Sequence, residues 1–348
     1  GGKGMRVVAA PDKLTAAWEA ARRESRAAFE SDEVYLEKYI PGPRHIEVQI
    51  LADKYGNCVH LYERECSIQR RHQKVIEEAP SPALRNRPDI RERLGQAAIA
   101  AAKACGYVNA GTVEFLFDGE TSNFYFLEMN TRLQAEHPVT EFVTGLDLVR
   151  QQILIAQGEP LTVAQDKVKH RGCAIEARIY AEDPAAGFLP DAGRVESLVR
   201  PNGPWVRVDS GVIAGSEVGV YYDPLVAKLI VWGPTRREAI QRMRRALLEY
   251  RVTGFKTTIP FAQLVMENPR YIAGDFDTRF IEQEYLGTPV LDAEEELTRA
   301  VAVVAAVWTH QESIPVPTSG LITGEPPQAG LNGRASGWKQ AGRVSELR

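Results

Sequence analysis

The sequence predicts an α+β fold built largely from antiparallel sheets. Along the first half of the 348 residues, apolar residues recur in some segments with the period of a helix and in others with the period of a strand. Two of the strand segments form a predicted β-hairpin. From Gly172 to about residue 233 the chain consists of short strand patterns separated by glycine and proline. The length predicts two or three domains of about 150 residues each.

The composition excludes several classes of protein. With 44% hydrophobic and 25% charged residues it is ordinary for a globular protein, and a net charge of -4 predicts neither nucleic acid nor an anionic membrane as a partner. Four cysteines without a CxxC pair are typical of a cytosolic chain with reduced thiols. The most apolar run, 300–308, is far shorter than the ~20 residues of a membrane span. We therefore expect a cytoplasmic protein.

Helix and strand patterns alternate in the first third of the chain. Apolar spacing predicts a helix over 13–29, with Asp12 as its N-cap. A strand over 34–40 is expected to end at a Pro-Gly-Pro stop. Alternation over 46–51 predicts a half-buried strand, and another strand is expected over 58–65 after a Lys-Tyr-Gly-Asn turn.

The remaining elements are predicted with the same criteria. They are a helix over 89–105, a hairpin of strands 112–117 and 123–129, and helices over 146–157, 235–250 and 294–311. The solvent face of the helix over 235–250 is expected to carry Arg236, Arg237, Arg242 and Arg244. From Ser313 the chain is rich in proline, glycine and serine, which is typical of a linker.

The chain opens on the glycine-rich run Gly1-Gly2-Lys3-Gly4. Glycines let backbone N–H groups approach phosphate oxygens, and a lysine adds charge. The run is not a Walker A loop, because no Gly-Lys-Ser/Thr follows, and a plain flexible terminus explains it equally well. The chain starts inside this run without an initiator methionine, so we expect it to be a fragment.

The predicted hairpin carries two acidic residues that face each other. If its turn centres on Thr121, Glu114 lies opposite Glu128, and the period of two places Asn130 on the same face. Facing carboxylates repel unless a cation lies between them, and hard oxygen ligands suit Mg²⁺ or Mn²⁺. The hairpin therefore predicts a divalent-cation site, with a solvated strand face as the alternative.

Three polar residues follow at positions i, i+2 and i+4. In an extended segment Arg132, Gln134 and Glu136 point the same way. An arginine binds a small oxyanion bidentately, and a carboxylate nearby can accept its proton. An ordinary polar loop is the alternative, and it is less probable immediately after the Glu-x-Asn of the hairpin.

A basic run lies over 69–74, with the sequence Gln-Arg-Arg-His-Gln-Lys. Alone it is typical of a solvated turn. With a carboxylate and metal site elsewhere in the chain, it also suits a wall for phosphates and bicarbonate.

These motifs occur together in one order and resemble the biotin carboxylases of the ATP-grasp class. The resemblance is closest to the biotin carboxylase part of acyl-CoA carboxylase α chains, such as acetyl-, propionyl- and methylcrotonyl-CoA carboxylase. It covers about 1–290 and is carried by EKYI at 37–40, PRHIEVQ at 43–49, CSIQRRHQK at 66–74, EAP at 78–80, the segment 128–137, GCAIEAR at 172–178, EDP at 182–184, RVDSG at 207–211 and YDPLVAK at 222–228.

The resemblance implies a domain organisation. We expect the remainder of a lid domain at 1–39, an ATP-grasp catalytic lobe at 40–170, a biotin carboxylase C-terminal region at 171–286, and a linker with the start of a transferase-interaction region at 287–348. An ordinary helix and tail explain that last segment equally well. The N-terminal nucleotide-fold domain and a biotin attachment sequence are expected to be absent from this chain.

The resemblance also implies site residues. Those for ATP are Gly1, Gly2, Gly4, Glu37, Lys38, Ile40, His45, Gln69, His72 and Leu116. Those for metal are Glu114, Glu128 and Asn130. Those for bicarbonate and biotin are Lys74, Arg132, Gln134, the backbone of Ala135, Glu136 and Arg178. The family usually has valine where this chain has Ala135, and a backbone contact should tolerate that change.

The function implied is the carboxylation of biotin with ATP, Mg²⁺ or Mn²⁺, and bicarbonate. Glu136 would take the proton of bicarbonate as carboxyphosphate forms, and Arg178 would stabilise the biotin enolate, with Lys74 and Arg132 as further catalytic residues. Biotin would ride on a separate carrier segment or chain and pass to a carboxyltransferase. We expect a homo-oligomer, in the mitochondrial matrix if the source is eukaryotic.

Two other functions stay open at this point. One is another ATP-grasp ligase, such as half of a carbamoyl-phosphate synthetase, against which Arg178 and the Glu-Asp-Pro at 182–184 argue. The other is a non-catalytic scaffold, against which the intact set of Glu114, Glu128, Arg132 and Glu136 argues.

Overall fold

An eight-stranded antiparallel sheet organises the chain. The computed structural model describes residues 4–71, 73–285 and 303. The strands are β1 (Arg44–Ala52), β2 (Cys58–Arg70), β3 (Gln73–Ala79), β4 (Asn109–Phe117), β5 (Phe124–Asn130), β6 (Cys173–Tyr180), β7 (Glu182–Asp183), β8 (Leu189–Pro190), β9 (Gly193–Arg194), β10 (Ser197–Val199), β11 (Val206–Ser210), β12 (Glu217–Val218), β13 (Leu225–Gly233) and β14 (Arg251–Thr253). The large sheet has the order β11-β13-β6-β3-β2-β1-β4-β5, and the six short strands form three two-stranded pairs. The predicted α+β class is confirmed.

Residues 4–285 form eight α-helices. They are α1 (Leu14–Phe29), α2 (Pro88–Ala104), α3 (His137–Thr144), α4 (Leu148–Ala156), α5 (Arg236–Glu249), α6 (Ile259–Glu267), α7 (Pro269–Ala273) and α8 (Phe280–Tyr285). Short 3-10 turns occur at Pro11–Lys13, Pro82–Leu84 and Gln165–Lys167. None of the helices in the described part of the chain is long and apolar enough to cross a membrane. The helix predicted over 294–311 and the tail lie outside the described residues, except for Val303.

Most predicted elements are confirmed within a few residues, as α1, α2, α4, α5 and the hairpin β4–β5 show. The strand predicted over 34–40 is wrong, because that segment has no regular structure and Tyr35 and Tyr39 are exposed. The short helices α3, α6, α7 and α8 were not predicted. They span five to nine residues, too short for the apolar period to stand out.

The prediction that β1 is half-buried is wrong, because both of its faces are covered. Ile46 and Val48 pack against Leu94 of α2 on one face. On the other face Glu47 and Gln49 are also fully buried. A strand can bury this alternate polar set only if hydrogen bonds and opposite charges satisfy it, and these partners form the centre of the site described below.

The helix α5 shows a second correction. Thr235 caps it by accepting a hydrogen bond from the Glu238 N–H, and Ala239 and Met243 face the apolar core. Arg236, predicted on the solvent face, is only 7% exposed. Its Nε and Nη2 donate to the two oxygens of Glu78 on β3, at 2.5 and 2.9 Å. A bidentate carboxylate partner compensates for burying this guanidinium.

Candidate functional site

The hairpin β4–β5 has the predicted register, in which Glu114 is the cross-strand partner of Glu128. Asn130 Nδ2 lies between them and donates to Glu114 Oε1 at 3.1 Å and to Glu128 Oε1 at 3.2 Å. An amide N–H₂ group at this position shows that the two carboxylates and Asn130 converge on one point.

These side chains fit a hard divalent cation. Two carboxylates and one amide supply the oxygen atoms that Mg²⁺ and Mn²⁺ prefer, and rotation of the Asn130 amide would exchange its nitrogen for its oxygen. Burial opposes ionisation of Glu114, but His45 and Lys74 lower the pKa of that carboxyl well below its usual range. The His45 Nε2 lies 3.1 Å from Glu114 Oε2. Glu114 is therefore ionised at neutral pH, as a metal ligand must be.

Lys74 on β3 joins three carboxylates. Its Nζ donates to Glu47 Oε2 at 2.5 Å, to Glu136 Oε1 at 2.6 Å and to Glu114 Oε1 at 3.0 Å. Burial opposes the charged form, but these carboxylates raise the pKa of the Lys74 ammonium well above its usual value. A fixed positive charge thus lies between the hairpin and Glu136, as an anion-binding site requires.

Glu136 lies at the N-terminal end of α3 and is only 2% exposed. Arg178 Nη2 donates to its Oε2 at 2.9 Å, while Lys74 holds its Oε1. Burial and the charge of Glu47 oppose ionisation, but Lys74, Arg178 and Arg64 together lower the pKa of Glu136. The carboxylate is therefore ionised and can accept a proton.

Arg132 does not share a face with Gln134 and Glu136, so the predicted common orientation is wrong. Gln134 and Glu136 are buried, whereas Arg132 is exposed and donates to Asn130 Oδ1 at 3.3 Å. The backbone is not extended over this segment, because it turns at 135 and 136 to begin α3. Arg132 therefore joins the site from its open side, beside the hairpin, and Gln134 Nε2 donates to Glu114 Oε1 at 2.8 Å.

Three of the expected nucleotide residues lie along the hairpin towards its turn, namely Lys38, His45 and Leu116. Leu116 pairs with His45 of β1 on one side and with Tyr125 of β5 on the other. Lys38 Nζ donates to the Tyr125 hydroxyl at 2.9 Å, so Lys38 lies beside this row of paired residues, His45, Leu116 and Tyr125. Ile40 is buried.

The other expected nucleotide residues are more scattered. Glu37 is exposed, and Gln69 of β2 pairs with Lys74 of β3. Gly4 has a left-handed backbone, with φ of 83°. The expected residues Gly1, Gly2 and His72 lie outside the described part of the chain.

Sequence reasoning missed Arg64, which lies at the centre of the site. It is fully buried, and its Nε donates to Glu47 Oε1 at 2.5 Å. Its Nη2 donates to Gln134 Oε1 at 2.9 Å, so it positions a predicted substrate residue. Arg64 pairs across the strands with Glu47. Opposite charges in register on two predicted neighbouring strands were the pattern that could have identified it.

Two other residues of the site were also missed. Lys228 of β13 donates to the carbonyl of Ala135 at 2.6 Å and so fixes the backbone turn before Glu136. Glu77 of β3 accepts from Arg178 Nε at 2.5 Å. Both residues lie far from 130–137 in the sequence, so no local pattern connects them with the site.

Two family models match the chain. The model described as carbamoyl-phosphate synthase L chain, ATP binding domain, matches residues 1–164, and the model described as biotin carboxylase C-terminal domain matches residues 176–283. The first covers the hairpin, Lys74 and Glu136, and the second covers Arg178. The site is therefore assembled from both matched parts.

Similar proteins include a biotin carboxylase of Nostoc sp., 56% identical over 283 residues, which are 81% of this chain and 63% of the relative. The propionyl-CoA carboxylase alpha chain of Ruegeria pomeroyi is 48% identical, over 88% of this chain and 48% of the relative. The chain thus spans about half to three fifths of the length of these curated relatives.

Solved structures of other proteins are also similar to this chain. The biotin carboxylase domain dimer of the 2-oxoglutarate carboxylase of Hydrogenobacter thermophilus, in complex with MgADP, ADP and bicarbonate, has a TM-score of 0.77 at 48% identity, over 81% of this chain and 62% of that one. A biotin carboxylase of Campylobacter jejuni has a TM-score of 0.78 at 46% identity, over 82% of this chain and 63% of that one. With both family models matched in order and relatives of about 50% identity, the chain belongs to the biotin carboxylase family.

Proposed function

We propose that this protein is an ATP-dependent ligase that carboxylates biotin with bicarbonate, the first half-reaction of an acyl-CoA carboxylase. One observation carries the proposal, which is the buried, ionised Glu136 held between Lys74 at 2.6 Å and Arg178 at 2.9 Å. A carboxylate between two cations is a proton acceptor beside positions where anions are stabilised.

Bicarbonate is proposed to bind between Lys74, Arg132, Gln134 and the backbone of Ala135. The ammonium of Lys74 already holds three carboxylates, so the arrival of an anion requires only an exchange of partners. Glu136 then accepts the bicarbonate proton, which makes the bicarbonate oxygen a better nucleophile towards the terminal phosphate of ATP. The attack breaks the bond between the terminal phosphate and ADP, so the products are carboxyphosphate and ADP.

Glu114, Glu128 and Asn130 are the residues proposed to hold Mg²⁺ or Mn²⁺. The ion would supply neutralisation of the charge on the transferring phosphoryl group. The residues proposed for the nucleotide are Gly1, Gly2, Gly4, Glu37, Lys38, Ile40, His45, Gln69, His72 and Leu116. The proximity of three of these residues supports the proposal: His45 pairs with Leu116, Leu116 pairs with Tyr125, and Lys38 is hydrogen-bonded to Tyr125.

Arg178 is proposed to serve the second step. Carboxyphosphate yields CO₂ and phosphate, the phosphate removes the proton of the biotin ureido nitrogen, and the Arg178 guanidinium stabilises the resulting enolate. Its side chain is 13% exposed and its charge is fixed, because the carboxylates of Glu77 and Glu136 raise its pKa even though burial opposes the charge. A permanent cation at the edge of the site suits a developing oxyanion.

The partners and the location are also proposals. Biotin would arrive on a carrier segment or chain, and carboxybiotin would pass to a carboxyltransferase, as the relative named propionyl-CoA carboxylase alpha chain suggests. The segment 287–348 is proposed to contribute to binding that transferase. The dimer of the Hydrogenobacter domain supports a homo-oligomer. We propose a cytoplasmic location, or the mitochondrial matrix in a eukaryote, since one relative is mitochondrial.

A kinetic experiment tests the proposal. ADP formation is measured with and without bicarbonate and free biotin, and carboxybiotin is measured with labelled bicarbonate. Arg178→Ala should lower biotin carboxylation by about tenfold or more, because a charge-assisted contact contributes about 1.5–3 kcal/mol. Bicarbonate-dependent ADP formation should fall less, since it precedes the biotin step.

Arg207→Ala is the matched control. Arg207 lies on the same sheet and also binds carboxylates, at 2.6 Å from Glu141 and 2.7 Å from Asp209, but no hydrogen bond or ion pair joins it to those proposed site residues that the structure describes. It should leave the ratio of the two activities unchanged. ADP formation that ignores bicarbonate, or equal loss of both activities in Arg178→Ala, would contradict the proposal.

A further inference from the structure

Two buried acids lie beneath Arg178. Glu77 of β3 and Glu176 of β6 are direct cross-strand partners, so their side chains share one face of the sheet. Both are fully buried. Among the described atoms, Glu77 Oε2 and both oxygens of Glu176 have no hydrogen-bond partner. Buried carboxyl oxygens without partners are costly, so a site that keeps three of them requires a reason beyond packing.

The guanidinium of Arg178 is held at two different edges. Its Nε donates inward to Glu77 Oε1 at 2.5 Å, and its Nη2 donates outward to Glu136 Oε2 at 2.9 Å. The Tyr180 hydroxyl is a longer contact, 3.4 Å from Nη1. Glu136 has a second cation, Lys74, and so can release Arg178 without losing all compensation for its charge. Glu77 forms no ion pair with any described residue other than Arg178.

We infer that Glu77 is a positioning residue for the biotin step: it anchors the inner edge of Arg178 while the outer edge exchanges Glu136 for the oxygen of biotin. The inference rests on the proposed function, in which Arg178 faces biotin. In the described structure Arg178 is engaged by Glu136, so the guanidinium must change partners before it can serve biotin. Because the guanidinium is rigid and planar, an anchor at Nε fixes the orientation of Nη1 and Nη2 while Nη2 exchanges its acceptor.

Glu176 completes this arrangement as an acid that holds a proton. Burial raises the pKa of Glu176 well above its usual value, and the charge of Glu77 opposes its ionisation further. Burial also raises the pKa of Glu77, to about 7, although Arg178 acts in the opposite direction. A neutral Glu176 removes the repulsion between the two acids, and the adjacent Arg178 guanidinium favours the charged form of Glu77.

The test compares two neighbouring residues of one strand. Glu77→Gln removes the charge that anchors Arg178. Glu78→Gln is the matched control, because Glu78 is equally buried and binds Arg236 Nε at 2.5 Å, but it points to the opposite face of the sheet. Each variant loses one buried Glu–Arg ion pair. A merely structural role for Glu77 would therefore make the two variants alike.

Three quantities are measured on wild type and both variants. The first is the kcat/KM of biotin carboxylation, and the second is the rate of bicarbonate-dependent ADP formation. Glu77→Gln should lower the kcat/KM for biotin by about tenfold or more, and it should lower bicarbonate-dependent ADP formation by a clearly smaller factor. Glu78→Gln should change both rates by the same factor. Equal changes in the two variants would overturn the inference.

The third quantity does not require activity. The NMR signal of the Arg178 Nε–H, assigned by its loss in Arg178→Lys, should move upfield in Glu77→Gln and stay in place in Glu78→Gln. An unmoved signal in Glu77→Gln would refute the role of Glu77 as an anchor, whether or not the wild type carboxylates biotin. A wild type that carboxylates no biotin would refute only the proposed function. If Glu77→Gln does not fold, Glu77→Asp keeps the charge on a shorter side chain and should move the same signal.

Discussion

Replacement of Arg64 by methionine should destabilise the protein more than any loss of a surface arginine. All five N–H donors of this fully buried guanidinium are used, and the acceptors are Glu47 at 2.5 Å, Gln49 at 2.7 Å, Gln134 at 2.9 Å, Thr140 at 3.0 Å and Thr112 at 3.1 Å. Methionine fills most of the volume but donates no hydrogen bond. It leaves four neutral acceptors and one carboxylate short of a partner.

The expected loss follows from these contacts. Removing one partner of a buried ion pair costs about 3–5 kcal/mol. Glu47 keeps its contact with Lys74 at 2.5 Å, which places the loss in the lower part of that range. Urea unfolding followed by circular dichroism measures it, since urea does not screen charges. Arg245→Met is the control, because Arg245 is exposed and its ion pair with Glu249 and its 3.3 Å hydrogen bond to the Asn202 carbonyl both lie at the surface, and it should lose under about 0.5 kcal/mol. A loss below about 1 kcal/mol in Arg64→Met would refute this reasoning.

Three further predictions address the metal, the charge and the packing of the site. Glu128→Gln should lower turnover and weaken its dependence on Mg²⁺ concentration, and an unchanged Mg²⁺ dependence would count against the hairpin as the metal site. Burial opposes ionisation of Glu47, but Arg64 and Lys74 lower the pKa of its carboxyl from 4.5 to about 2. The free energy of unfolding that this carboxylate contributes is therefore present above pH 4.5 and is lost as the pH falls towards 2. Urea midpoints measured over this pH range should drop less steeply in Glu47→Gln than in wild type. Gly95→Ala should destabilise by about 1–3 kcal/mol despite the usual preference of helices for alanine, because a Cβ there would lie 2.5 Å from His60 Nε2, and a thermal midpoint equal to wild type would contradict this.

Local sequence patterns are sufficient to predict the hairpin part of the site. The pairing of Glu114 with Glu128 follows from the turn that joins two adjacent strands, and the period of two then places Asn130 beside them. The same reasoning located most helices, because a long apolar period is a local property. The sequence motifs also predicted the family of the chain, and the two matched family models support that prediction.

The tertiary structure alone decided which charges are buried and which residues hold them. Arg64, Arg178 and Arg236 look like surface residues in the sequence, because a charged side chain is exposed unless a partner compensates its desolvation. Those partners lie 17, 101 and 158 residues away. Arg132 shows the converse, since the start of α3 turns the backbone and leaves it outside the buried set. Long-range pairing in a medium of low dielectric determines these positions, and no local pattern in the sequence encodes it.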